Sequence, residues 1–307
     1  MIDILSTALG LLGLAQAAVA EPQAAHRAMR GPPPPKVPGN DSCVPLSMGG
    51  GLPIIPVQIG AKTYHLEFDT GAPGGPMLRP ELVRDLGLEK IGEVGMSDPS
   101  HKNVVRVGLF RLPAMKVGGL TVADWVATER PPRESRFGEP DGVFGPQAFT
   151  GYVVTYDYPG SRLLIRKGQL PDADNRTSFS YPGSIPEVPL TVDGRTINTH
   201  VDTGNGRYGL IVPKEFAAQL PGFGKSFPIG IARTANNRYD LIAFPVGSAS
   251  VGAMPLYPGS AAYPGPAQHG NLGSLLLRDM IVKVDHARRI IPFERASDTL
   301  ESGCPSA

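Results

Sequence analysis

Pro56-Val-Gln-Ile-Gly-Ala-Lys-Thr-Tyr-His-Leu-Glu-Phe-Asp-Thr-Gly71 aligns without a gap with Pro189-Leu-Thr-Val-Asp-Gly-Arg-Thr-Ile-Asn-Thr-His-Val-Asp-Thr-Gly204, at a shift of 133. The shift holds beyond the block, where Leu78 meets Ile211 and Pro80 meets Pro213. Later, Gly142-Val-Phe-Gly145 and Tyr152–Tyr158 recur as Gly270-Asn-Leu-Gly273 and Met280–His286. There the shift is 128, from Gly145 to Gly273 and from Asp157 to Asp285. Strand, turn, Asp-Thr-Gly, a variable middle, Gly-x-x-Gly and a closing hairpin thus occur twice in one order. A chain with that pattern is a duplication and is expected to fold as two like lobes.

Within each unit the pattern is β. Val57–Ile59 and Tyr64–Phe68 are short alternating runs around a turn at Gly60, and Thr191–Val201 repeats this around Asp193-Gly194. Tyr152–Asp157 and Arg162–Ile165 flank a hairpin turn, as do Ile281–Asp285 and Arg289–Phe293. Leu120–Ala127, with Trp125, reads as one further strand. Helical periodicity is confined to Pro80–Leu86 and Pro213–Leu220, each opened by proline at a first-turn position. Weaker candidates follow each Gly-x-x-Gly, at Pro146–Phe149 and Ser274–Arg278. Gly 38 and Pro 33 exceed ordinary usage and fit many short strands. The expected class is mainly β: two duplicated, barrel-like lobes with a few short helices.

The expected boundaries are 1–20 leader, 21–51 proline-rich tether or pro-segment, 52–180 first lobe, 181–295 second lobe and 296–307 tail. Ile4–Leu14 is largely apolar, and Ala18-Val-Ala20 supplies small residues for cleavage, so the leader reads as a signal peptide. Asp3, where a basic residue belongs, leaves open an upstream start or a short anchor. The expected location is periplasmic or secreted, with no membrane span after signal removal. In an oxidising compartment Cys43 and Cys304 would form one disulfide; the alternative is two unpaired thiols. A net charge of +1 without a basic block speaks against nucleic acid.

The chemistry rests on Asp69 and Asp202. One Asp-Thr-Gly is what any turn would use. Two in register, each ending an apolar strand at Phe68 or Val201, place two carboxylates where burial is costly unless they find partners. Two carboxylates meeting across a two-fold axis cannot both ionise, so they share a proton. One then takes a proton from a water held between them while the other donates to a scissile carbonyl. Thr70 and Thr203 would bond across the axis, and Gly71 and Gly204 would admit the close approach.

These motifs, with the later Val143-Phe-Gly145, resemble the retropepsin and pepsin group of aspartic peptidases, in particular bacterial retropepsin-like proteins, over about residues 52–293. The resemblance implies a bilobal acid-protease fold, a cleft with a flap, catalytic Asp69 and Asp202, and loop support from Thr70, Gly71, Thr203 and Gly204. Because one chain supplies both aspartates, a homodimer is unnecessary and the expectation is a monomer acting on protein or peptide, with chemistry that requires no cofactor or metal. Ala72 departs from the Ser or Thr of pepsins, which would leave the pair titrating higher. Asn205 departs too, either donating to Asp202 or tolerating a left-handed turn. The flap is expected at Met96–Arg106, His101-Lys102-Asn103 near its tip, with Tyr239 at the equivalent place in the second half. Asp157 and Asp285 read as turn residues, and His65, His200 and His286 as filler. The rival functions are a catalytically inactive peptide-binding protein retaining the fold and an envelope module whose repeated turns are only turns.

Overall fold

The structure, a computed structural model, describes residues 35–39, 41–72, 74–96, 104–131, 139–233, 238–264, 269–296 and 304. The expected leader 1–20, the expected tether as far as residue 34, residues 97–103 of the expected flap Met96–Arg106 and nearly all of the expected tail lie outside them.

The fold is mainly β, with a few short helical turns. One sheet runs, edge to edge, through Lys90–Met96, Val105–Leu112, Trp125–Glu129, Met77–Leu78, Gly142–Phe144, Lys62–Phe68, Leu52–Ile59, Met115–Val117 and Leu120–Val122. Ser47–Gly49 also pairs with Leu52–Ile59. A second sheet runs through Phe227–Arg233, Arg238–Pro245, Ser260–Tyr263, Leu210–Ile211, Gly270–Gly273, Arg195–Asp202, Glu187–Val192, Ala249–Val251 and Met254–Leu256. Place by place, the second order is the first written again. Each sheet threads its Gly-x-x-Gly strand between two others. Gly142–Phe144 lies parallel to Lys62–Phe68 and antiparallel to Met77–Leu78, as Gly270–Gly273 does to Arg195–Asp202 and Leu210–Ile211. Strands paired on both sides and packed on both faces need apolar residues, which is why Phe68, Val143, Phe144, Val201 and Leu272 are buried.

A third sheet of six strands draws on both halves: Asp41–Pro45, Arg162–Lys167, Tyr152–Asp157, Met280–Asp285, Ile290–Arg295 and Ser178–Ser180. At its centre the two closing hairpins pair antiparallel, Thr155 opposite Lys283, residues that correspond at the shift of 128. Asp157 and Asp285 are fully buried here and serve turns, as expected. Asp157 accepts from the Gly160 amide (2.8 Å) and Arg162 (2.7 Å), and Asp285 from the Leu170 and Arg288 amides (both 3.0 Å).

Three expectations on elements need correction. The tether was expected to run to residue 51, yet Asp41–Pro45 and Ser47–Gly49 are strands, and Tyr152 Oη donates to the carbonyls of Val37 (2.9 Å) and Gly39 (2.7 Å). Leu120–Ala127 is two strands, broken where Asp124 turns to φ 57° and Ala123 bridges to Lys36. The expected helix Pro213–Leu220 is a single turn, Lys214–Ala217. Pro80–Asp85 is helical, and 3-10 turns stand at Pro146–Phe149 and Ser274–Leu276. Cys43 and Cys304 are joined by a disulfide with Cα atoms 5.6 Å apart. Among the described residues no helix is long and apolar enough to cross a membrane.

Candidate functional site

Asp69 leaves the strand Lys62–Phe68, and its amide donates to the Phe144 carbonyl at 2.8 Å. Asp202 ends the strand Arg195–Asp202 beside Gly273. Each acid is therefore held by the Gly-x-x-Gly strand of its own sheet. The following threonines, both fully buried, tie the halves together. The Thr70 amide donates to Thr203 Oγ1 (3.0 Å) and the Thr203 amide to Thr70 Oγ1 (3.1 Å). Each hydroxyl then donates onward to the strand opposite, Thr70 to the Val201 carbonyl (2.5 Å) and Thr203 to the Phe68 carbonyl (3.2 Å). Every polar atom in this reciprocal set has a partner, as burial demands.

The carboxylates meet at one donor. The Gly204 amide lies 2.7 Å from Asp69 Oδ1 and 3.0 Å from Asp202 Oδ1, so those oxygens are no farther apart than the two lengths together. Asp69 Oδ1 also accepts from the Gly71 amide at 2.8 Å. Both glycines are required by space. A β-carbon at position 71 would stand 2.5 Å from Asp202 Oδ1, and one at 204 would stand 2.5 Å from Asp69 Oδ2.

The two acids are not equivalent. Asp69 is 9% exposed and follows Phe68, whose ring packs with those of Phe144, Phe149 and Tyr156, the Phe68 and Phe144 centroids 4.9 Å apart. Burial first, then the charge of Asp202, then that of Glu67, push its carboxyl well above the usual aspartate range, against the Gly71 and Gly204 amides. Asp202 is half-buried and accepts a short hydrogen bond from Asn271 Nδ2. Asn271 is held in turn, accepting from Asn205 Nδ2 at 2.8 Å. Asn205 Oδ1 takes the Tyr208 amide at 3.2 Å.

Neither role expected of Asn205 is the one found, because it orients the residue that contacts Asp202 and its backbone is not left-handed. Two neighbours of the acids were missed in the sequence. Asn271 stands where the first half has Val143, inside the repeated Gly-x-x-Gly, and that substitution was the available signal. Glu67, buried two residues before Asp69, corresponds to His200 before Asp202. Tyr239 lies in the hairpin strand Arg238–Pro245 and is half-buried. His101, Lys102 and Asn103 lie outside the described residues. The chain matches no family model and no curated protein sequence.

Proposed function

We propose that this chain is an aspartic-type endopeptidase, built as a duplicated two-lobed acid-protease fold with one active site between the halves. The observation that carries the reading is the single Gly204 amide bonded to both Asp69 and Asp202, framed by the exchanged threonine bonds. The matching strand orders support the duplication, since the sequence repeat and the pairing pattern are separate observations.

The asymmetry of the site divides the roles. Asp69, whose buried carboxyl favours the protonated form, is the acid; Asp202, accepting from Asn271, is the base. A water between them gives a proton to Asp202 while its oxygen bonds to the scissile carbonyl carbon. Asp69 gives its proton to the carbonyl oxygen, producing a neutral gem-diol. Collapse of that diol returns a proton to Asp69, and the proton on Asp202 goes to the departing amide nitrogen as the C–N bond breaks. No bond to the protein forms at any step. Exposed Ile91, Val104, Phe227 and Ile231, on or beside the edge hairpins of the two sheets, offer apolar contacts to a peptide.

Export fits the same reading. The leader has an apolar run and small residues at 18–20, and a disulfide between Cys43 and Cys304 suits an oxidising compartment.

The test is cleavage of a denatured protein by the full chain from about pH 3 to about pH 7. The wild type is expected to cleave, and Asp69→Asn and Asp202→Asn each to lose about 10²–10⁴-fold in rate. Peptide binding without cleavage by the wild type would favour the inactive binding protein. Cleavage unchanged in both variants would remove the aspartates from the mechanism.

A further inference from the structure

On the face of the second sheet that carries Asp202, three metal-binding side chains gather. Glu187 stands directly opposite His200 in the antiparallel pair of Glu187–Val192 with Arg195–Asp202. His200 in turn lies beside Asn271 in the parallel pair with Gly270–Gly273. His269 stands at the bend immediately before the strand Gly270–Gly273. One ligand atom from each of Glu187, His200 and His269 lies within 4.8 Å of the other two. The two imidazoles stack with centroids 4.7 Å apart and planes 18° off parallel, and His200 Nε2 is 3.7 Å from Glu187 Oε2. That last separation is too long for a hydrogen bond.

The shared architecture does not call for this set. At corresponding positions the first sheet has Ile54, Glu67 and Asp141, with Ile54 opposite Glu67 just as Glu187 is opposite His200. Asp141 is spent on structure there, accepting from Arg79 at 2.5 Å and from the His65 amide at 2.8 Å. Two imidazoles and a carboxylate therefore converge in one half only, in a place where the other half puts a hydrophobe, the buried Glu67 and a structural acid.

The geometry points to a binding site for a divalent transition ion of the zinc type, held by His200, His269 and Glu187. Two imidazoles with one carboxylate select such an ion over magnesium or calcium, which take oxygen ligands. Three protein ligands leave a fourth position to water. Tetrahedral ligands about 2.0–2.1 Å from zinc stand roughly 3.4 Å apart, so the cluster closes by about 1 Å. His269 is exposed, and turning its ring out of the stack supplies that movement. The site departs from the metal-free expectation drawn from the sequence, and it does not depend on the peptidase reading.

Calorimetric titration of the full chain with Zn²⁺ tests it, with Co²⁺ absorption as a second readout. The expected result is one equivalent bound and visible Co²⁺ bands of a four-coordinate nitrogen–oxygen site. His269→Ala and Glu187→Gln, both at partly or fully exposed side chains, are each expected to weaken binding by about tenfold or more. His65→Ala, at an exposed histidine elsewhere, is expected to leave it unchanged. No zinc heat in the wild type would overturn the assignment. So would affinity that survives both His269→Ala and Glu187→Gln.

Discussion

Asp202 and Asp69 have the same tripeptide and the same strand behind them, yet one has an asparagine amide on its carboxylate and the other a buried glutamate beside it. The difference comes from Asn271 standing where the first half has Val143. Replacing Asn271 by Val makes the second half like the first at this point and removes the side-chain amide donor to Asp202, leaving the Gly204 amide. A hydrogen bond to a charged group is worth about 1.5–3 kcal/mol, so kcat is expected to fall by roughly 10–100-fold with little change in KM. Steady-state kinetics of Asn271→Val against wild type checks this, and an unchanged kcat would show that the amide does not matter to the reaction. At this scale the aspartates, threonines and glycines were legible because the repeat put each motif on the page twice. Asn271 and Glu67 were not. Their approach to the acids depends on strand register and on the other half of the chain, which no local pattern carries.

The elements with strong local signals stand where periodicity put them. Proline at a first-turn position marks the start of Pro80–Asp85 and Pro146–Phe149, and the paired runs around Gly60 and Asp193-Gly194 became hairpins. Asp41–Pro45 fell within the expected tether, 21–51, whose proline-rich start dominates its composition. It is a strand because Arg162–Lys167 offers an edge, with Cys43 opposite Leu164. The same strand carries the disulfide to Cys304, which closes a loop of 261 residues. Cross-links over long loops restrict the unfolded chain, and losing one typically costs about 2–5 kcal/mol. Cys43→Ser is expected to lower the urea midpoint accordingly, with the denaturant dependence measured under non-reducing conditions. A midpoint equal to that of the wild type would mean the strand needs no covalent tie.

Across the whole molecule, two sheets of like strand order were foreseeable from the sequence repeat, whereas the six-stranded sheet that joins them was not. Which hairpin pairs with which is settled by tertiary contact between Tyr152–Asp157 and Met280–Asp285, over a distance the repeat alone does not encode. Bringing the halves together has a cost that depends on pH. The folded state raises the Asp69 proton affinity, so it binds more protons than the unfolded chain at pH values above the ordinary aspartate range. Stability from this group is therefore full below the unfolded value and is lost as pH rises through the raised folded one. Each tenfold in proton affinity is about 1.4 kcal/mol. Asp69→Asn is accordingly expected to unfold at a higher temperature than wild type at neutral pH, with the gap narrowing as pH falls toward about 4. Calorimetric scans across that range check it, and a gap independent of pH would contradict it.

The central claim is that Asp69 shares a site with an acid from the opposite half, whose charge adds to burial in raising its carboxyl. It is tested most directly by carbon NMR of aspartate carboxyls labelled with carbon-13, with the Asp69 signal assigned from the Asp69→Asn spectrum. The account predicts that Asp69 titrates well above the ordinary aspartate range, and that Asp202→Asn moves it down without restoring it, since burial is the larger cause. A normal titration of Asp69, or one indifferent to Asp202→Asn, would contradict it.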